Sequence, residues 1–166
     1  MFKVSILSRH SNKSNHSQKA LIGNYTRNYV QIDFDNMKFD DVFKLCLKAK
    51  NQFNLEGFLI AKSSNHHYHA VFNKHFRKWE DVVKVMSWIA LISDNPNIRK
   101  YVLLQFIRKE STLRLSNKKD KPKPRIIITI GKTDKGIENY KKHKNLLNMV
   151  KMPCKTKKKR KKRKRK

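Results

Sequence analysis

Two short segments of this chain carry side chains that could do chemistry. The first is Tyr29-Val30-Gln31-Ile32-Asp33-Phe34-Asp35-Asn36, and the second is Ser63-Ser64-Asn65-His66-His67-Tyr68-His69-Ala70-Val71-Phe72. Both alternate as strands do, so successive side chains point to opposite faces. Val30, Ile32 and Phe34 then share one face, with Gln31, Asp33 and Asp35 on the other. Tyr68, Ala70 and Phe72 share one face of the second strand, and His67, His69 and Val71 the other. Two carboxylates two residues apart suit a divalent cation such as Mg2+ or Mn2+, which prefers oxygen ligands. Histidine is a frequent metal ligand and acid–base group. The blander reading of both pairs is a polar strand face turned to solvent. Aspartate is depleted in strands, so two in one strand need compensation.

The elements that must position these groups follow from the flanking pattern. Phe39, Val42, Phe43, Cys46, Ala49 and Phe53 recur at helical spacing, with Asp40 and Asp41 in the first turn, where they complement the helix dipole. Gly57 to Lys62 reads as a strand, and the turn at 63–66 closes a hairpin with 68–72. Residues 78–92 form an amphipathic helix through Trp79, Val82, Val83, Met86, Ile89 and Ala90. Asn95-Pro96 is a helix start, and 98–107 follows as a helix, with a strand as the alternative its apolar density leaves open. Ser111 to Ser116 alternates again, Arg125 to Ile130 is a strand, and 137–150 is a last helix with Ile137, Tyr140, Leu147 and Val150 inward.

This order predicts an α+β domain over residues 29–150. Its core is a ferredoxin-like or RNA-recognition-type sheet with helices on one face. In that arrangement the first and third strands are neighbours. Asp33, Asp35, His67, His69 and Arg114 then share the open face, where Arg114 could bind phosphate bidentately. The aromatic residues Phe34, Tyr68 and Phe72 fall on the core face, which argues against a base-stacking platform. Residues 1–28 read as a flexible basic arm and 151–166 as a disordered Lys/Arg-rich tail.

Charge points to the partner. The 166 residues include 41 Lys+Arg and 12 Asp+Glu, a formal net charge of +29. Residues 155–166 hold 11 of the basic residues and no acid, so 1–154 carry +18 without them. Such a body favours polyanions, and DNA or RNA is the leading partner. Lys157, Lys158, Lys159, Arg160, Lys161, Lys162, Arg163, Lys164, Arg165 and Lys166 form an unbroken cationic run. No apolar run approaches a membrane span. Cys46 and Cys154 lie far apart with no CxxC pair, which argues against a structural zinc site and fits a reducing compartment. That compartment is the cytoplasm, or the nucleus in a eukaryote.

Ile-Asp-Phe-Asp at 32–35, then Ser63-Ser64 leading into His67-Tyr68-His69-Ala70-Val71-Phe72, then Ser111-Thr112-Leu113-Arg114-Leu115-Ser116, resembles the catalytic core of archaeo-eukaryotic-type primases. The resemblance covers roughly residues 29–130. It implies a primase-like replication protein of a mobile element or virus, transferring nucleotides with Mg2+ or Mn2+ and working with a helicase. By resemblance Asp33 and Asp35 hold the metal, and His69 contacts the nucleotide phosphates. Ser64, Arg114 and Lys118 complete the nucleotide-binding set. The family's third acid has only Asp94 and Glu110 as nearby candidates.

His67-Tyr68-His69 also resembles the His-hydrophobic-His motif of rolling-circle initiators and relaxases. That would make His67 and His69 metal ligands and Tyr140 the nucleophile. A non-enzymatic basic nucleic-acid-binding protein is the third reading.

The division of charge between body and tail has a measurable consequence. Removing residues 155–166 should reduce the magnitude of the log–log salt slope of duplex DNA binding by about 0.9 for each phosphate the tail neutralises. Fluorescence anisotropy over a salt series checks this, and an unchanged slope would exclude the tail from binding.

Overall fold

The alternating segments pair with each other. Gln31–Asp35 and His67–Asn73 form antiparallel strands in which Gln31 lies opposite Val71, Asp33 opposite His69 and Asp35 opposite His67. The structure, a computed structural model, describes residues 3–7, 21–116, 122–132 and 135–149. In chain order the elements are β1 (Lys3–Leu7), β2 (Leu21–Thr26), β3 (Gln31–Asp35), α1 (Phe39–Gln52), β4 (Gly57–Ser64) and β5 (His67–Asn73). They continue as α2 (Trp79–Ile92), α3 (Pro96–Arg108), β6 (Ser111–Arg114), β7 (Arg125–Gly131) and α4 (Lys135–Met149).

The fold is α+β with two antiparallel sheets. One has the order β3-β5-β4-β7 and the other β1-β2-β6. The expected neighbours, β3 and β5, adjoin. The start of α3 falls where the capping chemistry puts it. The Asn95 side chain accepts a hydrogen bond from the Asn97 backbone N–H at 2.8 Å, with Pro96 at the first helical position. Asp40 and Asp41 in α1, and Glu80 and Asp81 in α2, occupy first turns that lack a side-chain cap.

Each face of the four-stranded sheet has its own core. Ile32, Phe34, Phe58, Ile60, Tyr68, Ala70 and Phe72 pack with Val42, Cys46 and Ala49 of α1 and with Val82, Met86 and Ile89 of α2. Of these, Ile32, Phe34, Tyr68, Ala70 and Phe72 are the strand residues that alternation places on the core face. The opposite face buries Leu59, Ala61 and Val71 beneath Leu113, Leu115, Ile137 and Tyr140. So α4 and the β6 segment cover the face expected to be open, and Leu113 and Leu115 pack there rather than against α1 and α2. The reason is composition: Val71, Leu59 and Ala61 leave that face apolar away from the Asp–His rows, and apolar area is buried wherever an element can reach it.

Part of the stretch expected as an N-terminal arm is strand. Leu21–Thr26 pairs with Ser111–Arg114, and Lys3–Leu7 pairs with Leu21–Thr26. β6 therefore belongs to the smaller sheet. Ser111 Oγ donates within 3.2 Å of Thr26 O and 3.4 Å of Tyr29 O, and the buried Gln105 side chain accepts from the Thr112 N–H at 3.1 Å. Residues 8–20, the loop containing Lys118, Val150 and the tail 151–166 lie outside the described residues.

β4 and β7 approach closely at Gly57. A Cβ there would collide with the Ile130 carbonyl oxygen and stand 2.9 Å from Lys132 O, both backbone atoms. Gly131, at φ 77°, faces the same contact. Gly57→Ala should destabilise the fold by at least about 2 kcal/mol, read as a lower urea midpoint at unchanged slope. A surface Lys48→Ala control should shift by less than about 0.5 kcal/mol.

Candidate functional site

Register decides what meets on the polar face. The Asp33–His69 and Asp35–His67 pairs are stacked along neighbouring strands, one residue pair apart on the same side. His67 Nδ1 hydrogen-bonds the Asp35 carboxylate. His69 Nε2 stands 3.6 Å from Asp33 Oδ1. Each carboxylate thus faces an imidazole, which offsets the local cost of placing aspartate in a strand.

The rows differ in access. The Asp35 side chain is 45% exposed, while His69 is 2% exposed and lies behind Asp33. A cleft of about 430 Å³ lies at the loop that follows β3, lined by Asn36, Lys38, Asp41, Asp94 and Asn95 and by neither Asp35 nor His67. Asn95 ties the start of α3 to the end of β3, its side-chain N–H₂ donating to Asp35 O at 3.1 Å. The β4–β5 turn is held from the other side. His66 is an exposed turn residue at φ 56°, and its carbonyl accepts from the Met37 N–H at 3.0 Å.

Arg114 reaches the face from the other sheet. Its guanidinium donates to Ser116 O at 2.5 Å, Pro122 O at 2.9 Å and Ser63 O at 3.2 Å. Burial lowers its pKa, and the nearby Asp33 carboxylate works in the opposite direction. The three carbonyls fix the guanidinium beside Asp33 and Tyr140. Ser64 sits opposite His67 at a register shift in β4, with a buried hydroxyl that has no partner among the described residues. Of the expected site residues, Asp33, His69 and Arg114 are therefore brought together, with the Asp35–His67 pair next to them along the strands and Ser64 opposite His67. Lys118 lies outside the described residues. Asp94 is not on this face: its carboxylate is in solvent, 3.5 Å from Arg99.

Two residues at the site escaped the sequence reading. Gln31 shares the row of Asp33 and Asp35 and is fully buried, with both amide atoms unpartnered among the described residues. Alternation had placed it on the face, but nothing in its type marked it as functional. The Tyr101 hydroxyl lies 3.3 Å from Gln31 O and 3.2 Å from Thr112 O, linking the free edge of β3 to β6. Its helix is legible in the sequence, whereas its direction depends on where that helix packs.

Tyr140 is fully buried, and its hydroxyl has no hydrogen-bond partner among the described residues. A nucleophile must meet its substrate, and this phenol does not reach solvent. Among the described residues no group of three or more His, Cys, Asp and Glu side chains is placed to hold a metal ion. Asp33 and Asp35 are the carboxylate pair available to a cation that brings its remaining oxygen ligands from water or substrate phosphates.

No family model, no curated protein and no solved structure matches this chain.

The buried phenols set a pH dependence. Burial raises Tyr140 and Tyr101 above their ordinary 10.0, and Asp33 adds to both shifts. A raised pKa in the folded state contributes stability below the unfolded value, which is lost as pH rises past it. Wild-type stability should therefore begin to fall relative to Tyr140→Phe as pH rises through about 10 and keep falling above it, as read by urea midpoints. At neutral pH, Tyr140→Phe should be more stable by about 1 kcal/mol, because it removes an unsatisfied hydroxyl. A destabilised variant at pH 7 would mean that the hydroxyl is bonded.

Proposed function

We propose that this chain is a nucleic-acid-binding protein with a primase-like nucleotidyl-transfer site on the β3–β5 face. One observation carries the reading. Two cross-strand Asp–His pairs lie on one face, and an arginine from a separate sheet is oriented beside them, in a chain of charge +29. Structural ion pairs of a soluble strand do not require a third group positioned by three backbone carbonyls.

The proposed reaction joins a nucleotide to a hydroxyl and releases pyrophosphate. Asp33 and Asp35 would hold Mg2+ or Mn2+ that enters with the triphosphate, and that cation would neutralise charge on the attacking hydroxyl and the leaving pyrophosphate. His67 and His69 orient the two carboxylates by facing them across the strand pair. Arg114 supplies fixed positive charge in a half-buried site, where it acts more strongly on phosphate than in bulk water. The resemblance assigns phosphate contact to His69. Its burial behind Asp33 favours an orienting role instead.

The support for DNA or RNA as partner is the charge of the body and tail. No helix among the described residues is long and apolar enough to cross a membrane. A helicase partner belongs to the same reading. The nickase alternative is weakened by the burial of Tyr140.

Extension of a labelled primer–template with nucleotides and Mn2+ tests the proposal. Asp33→Asn with Asp35→Asn should abolish extension, while oligonucleotide affinity holds or rises as two negative charges leave. His69→Ala should lower kcat by about 10- to 100-fold if the ring orients Asp33, with a smaller change in nucleotide KM. A rise in KM alone would restore the phosphate-contact role. A covalent protein–DNA adduct lost in Tyr140→Phe would replace the primase reading with the nickase one. Neither extension nor adduct would leave a non-enzymatic binding protein.

A further inference from the structure

α3 is apolar on two faces, and the fold covers only one. Ile98, Val102 and Gln105 are buried and Tyr101 is partly buried on the side that packs against α2 and the sheets. On the outward side Leu103, Leu104, Phe106 and Ile107 are 43–67% exposed. At 3.6 residues per turn these four occupy a sector of about 160° centred on Leu103 and Ile107. A helix that is apolar all round is normally covered all round. The four sit together on the C-terminal half of a 13-residue helix, which makes them one patch.

The rim of the patch identifies its occupant. Lys100, Arg108 and Lys109 are exposed around it, and α3 itself contains no acid. A second copy of the chain would bring a like-charged rim and a total charge of +29. A nucleic acid has phosphates for the rim and a base to stack on Phe106, but no apolar surface to cover the aliphatic side chains of Leu103, Leu104 and Ile107. An amphipathic helix with an apolar stripe and acidic flanks satisfies both features, the stripe meeting Leu103 and Ile107 and the acids meeting the cations. We infer that the outward face of α3 docks an acidic amphipathic helix of another protein. The inference is independent of the chemistry assigned to Asp33 and Asp35.

The test uses the full chain and two labelled synthetic peptides of about 20 residues with one composition. One places Leu at i, i+3, i+4 and i+7 with Glu elsewhere, and the other is a scramble without a stripe. Fluorescence anisotropy at about 0.15 M salt reports affinity after much of the non-specific charge attraction is screened. The amphipathic peptide should bind wild type at least about tenfold more tightly than the scramble.

Leu103→Ser with Ile107→Ser should erase that difference and leave scramble binding unchanged. Lys100→Glu with Arg108→Glu, which keeps the apolar stripe, should also weaken the amphipathic peptide by about tenfold or more and serves if the serine variant fails to fold. Equal affinity for both peptides, or an amphipathic affinity untouched by the variants, would overturn the inference. So would sedimentation of wild type as a dimer that Leu103→Ser with Ile107→Ser converts to monomer, since a second copy would then own the face. Loss of single-stranded DNA affinity in the serine variant, with no peptide preference in wild type, would assign the face to nucleic acid instead.

Discussion

The antiparallel register of β3 and β5 is the constraint on which the rest of this structure depends. Side chains on a strand alternate with a period of two, so sliding one strand by a single residue would move its whole set to the other face. In the observed register Phe34 and Tyr68 lie in the core with α1 and α2, and Asp35 and His67 meet on the opposite side. A slip would drive aspartate into the main core and phenylalanine out of it. The hydrophobic pattern therefore keeps Asp33, Asp35, His67 and His69 on one face, and their pairing across the strands in turn reduces the cost of two carboxylates in one strand.

A second constraint follows from the first. The polar rows occupy only one end of their face, and Val71, Leu59 and Ala61 make the remainder apolar. α4 and the β6 segment cover that remainder through Ile137, Tyr140, Leu113 and Leu115. Their arrival brings Arg114 to the site and leaves Gln31 and Tyr140 with buried, unpartnered polar atoms among the described residues. Covering apolar area and satisfying polar atoms are in conflict at this seam. Such local conflict in an otherwise consistent fold is a feature of functional surfaces.

Much of this was legible one residue at a time. The helical spacing of Phe39 to Phe53, the Asn95-Pro96 start and the alternation of 31–35 and 67–73 all became the elements they suggested. The β3–β5 adjacency followed from element order. Leu21–Thr26 was not legible, because Leu-Ile-Gly-Asn-Tyr-Thr has a glycine and an asparagine in a short run and little alternation. It is a strand because β6 offers it an antiparallel edge, and that edge comes from the distant segment Ser111–Arg114.

The sequence by itself determined which side chains share a face, since alternation is a property of the backbone. It placed Asp33 and Asp35 together, His67 and His69 together, and Tyr140 on the inward side of its helix. Tertiary structure alone decided that Asp33 meets His69 and Asp35 meets His67, that Arg114 is aimed by the carbonyls of Ser63, Ser116 and Pro122, and that α4 covers part of the site face. Those outcomes depend on cross-strand register and on which apolar surfaces remain to be buried. Both are set by the whole chain at once, and no local stretch encodes them.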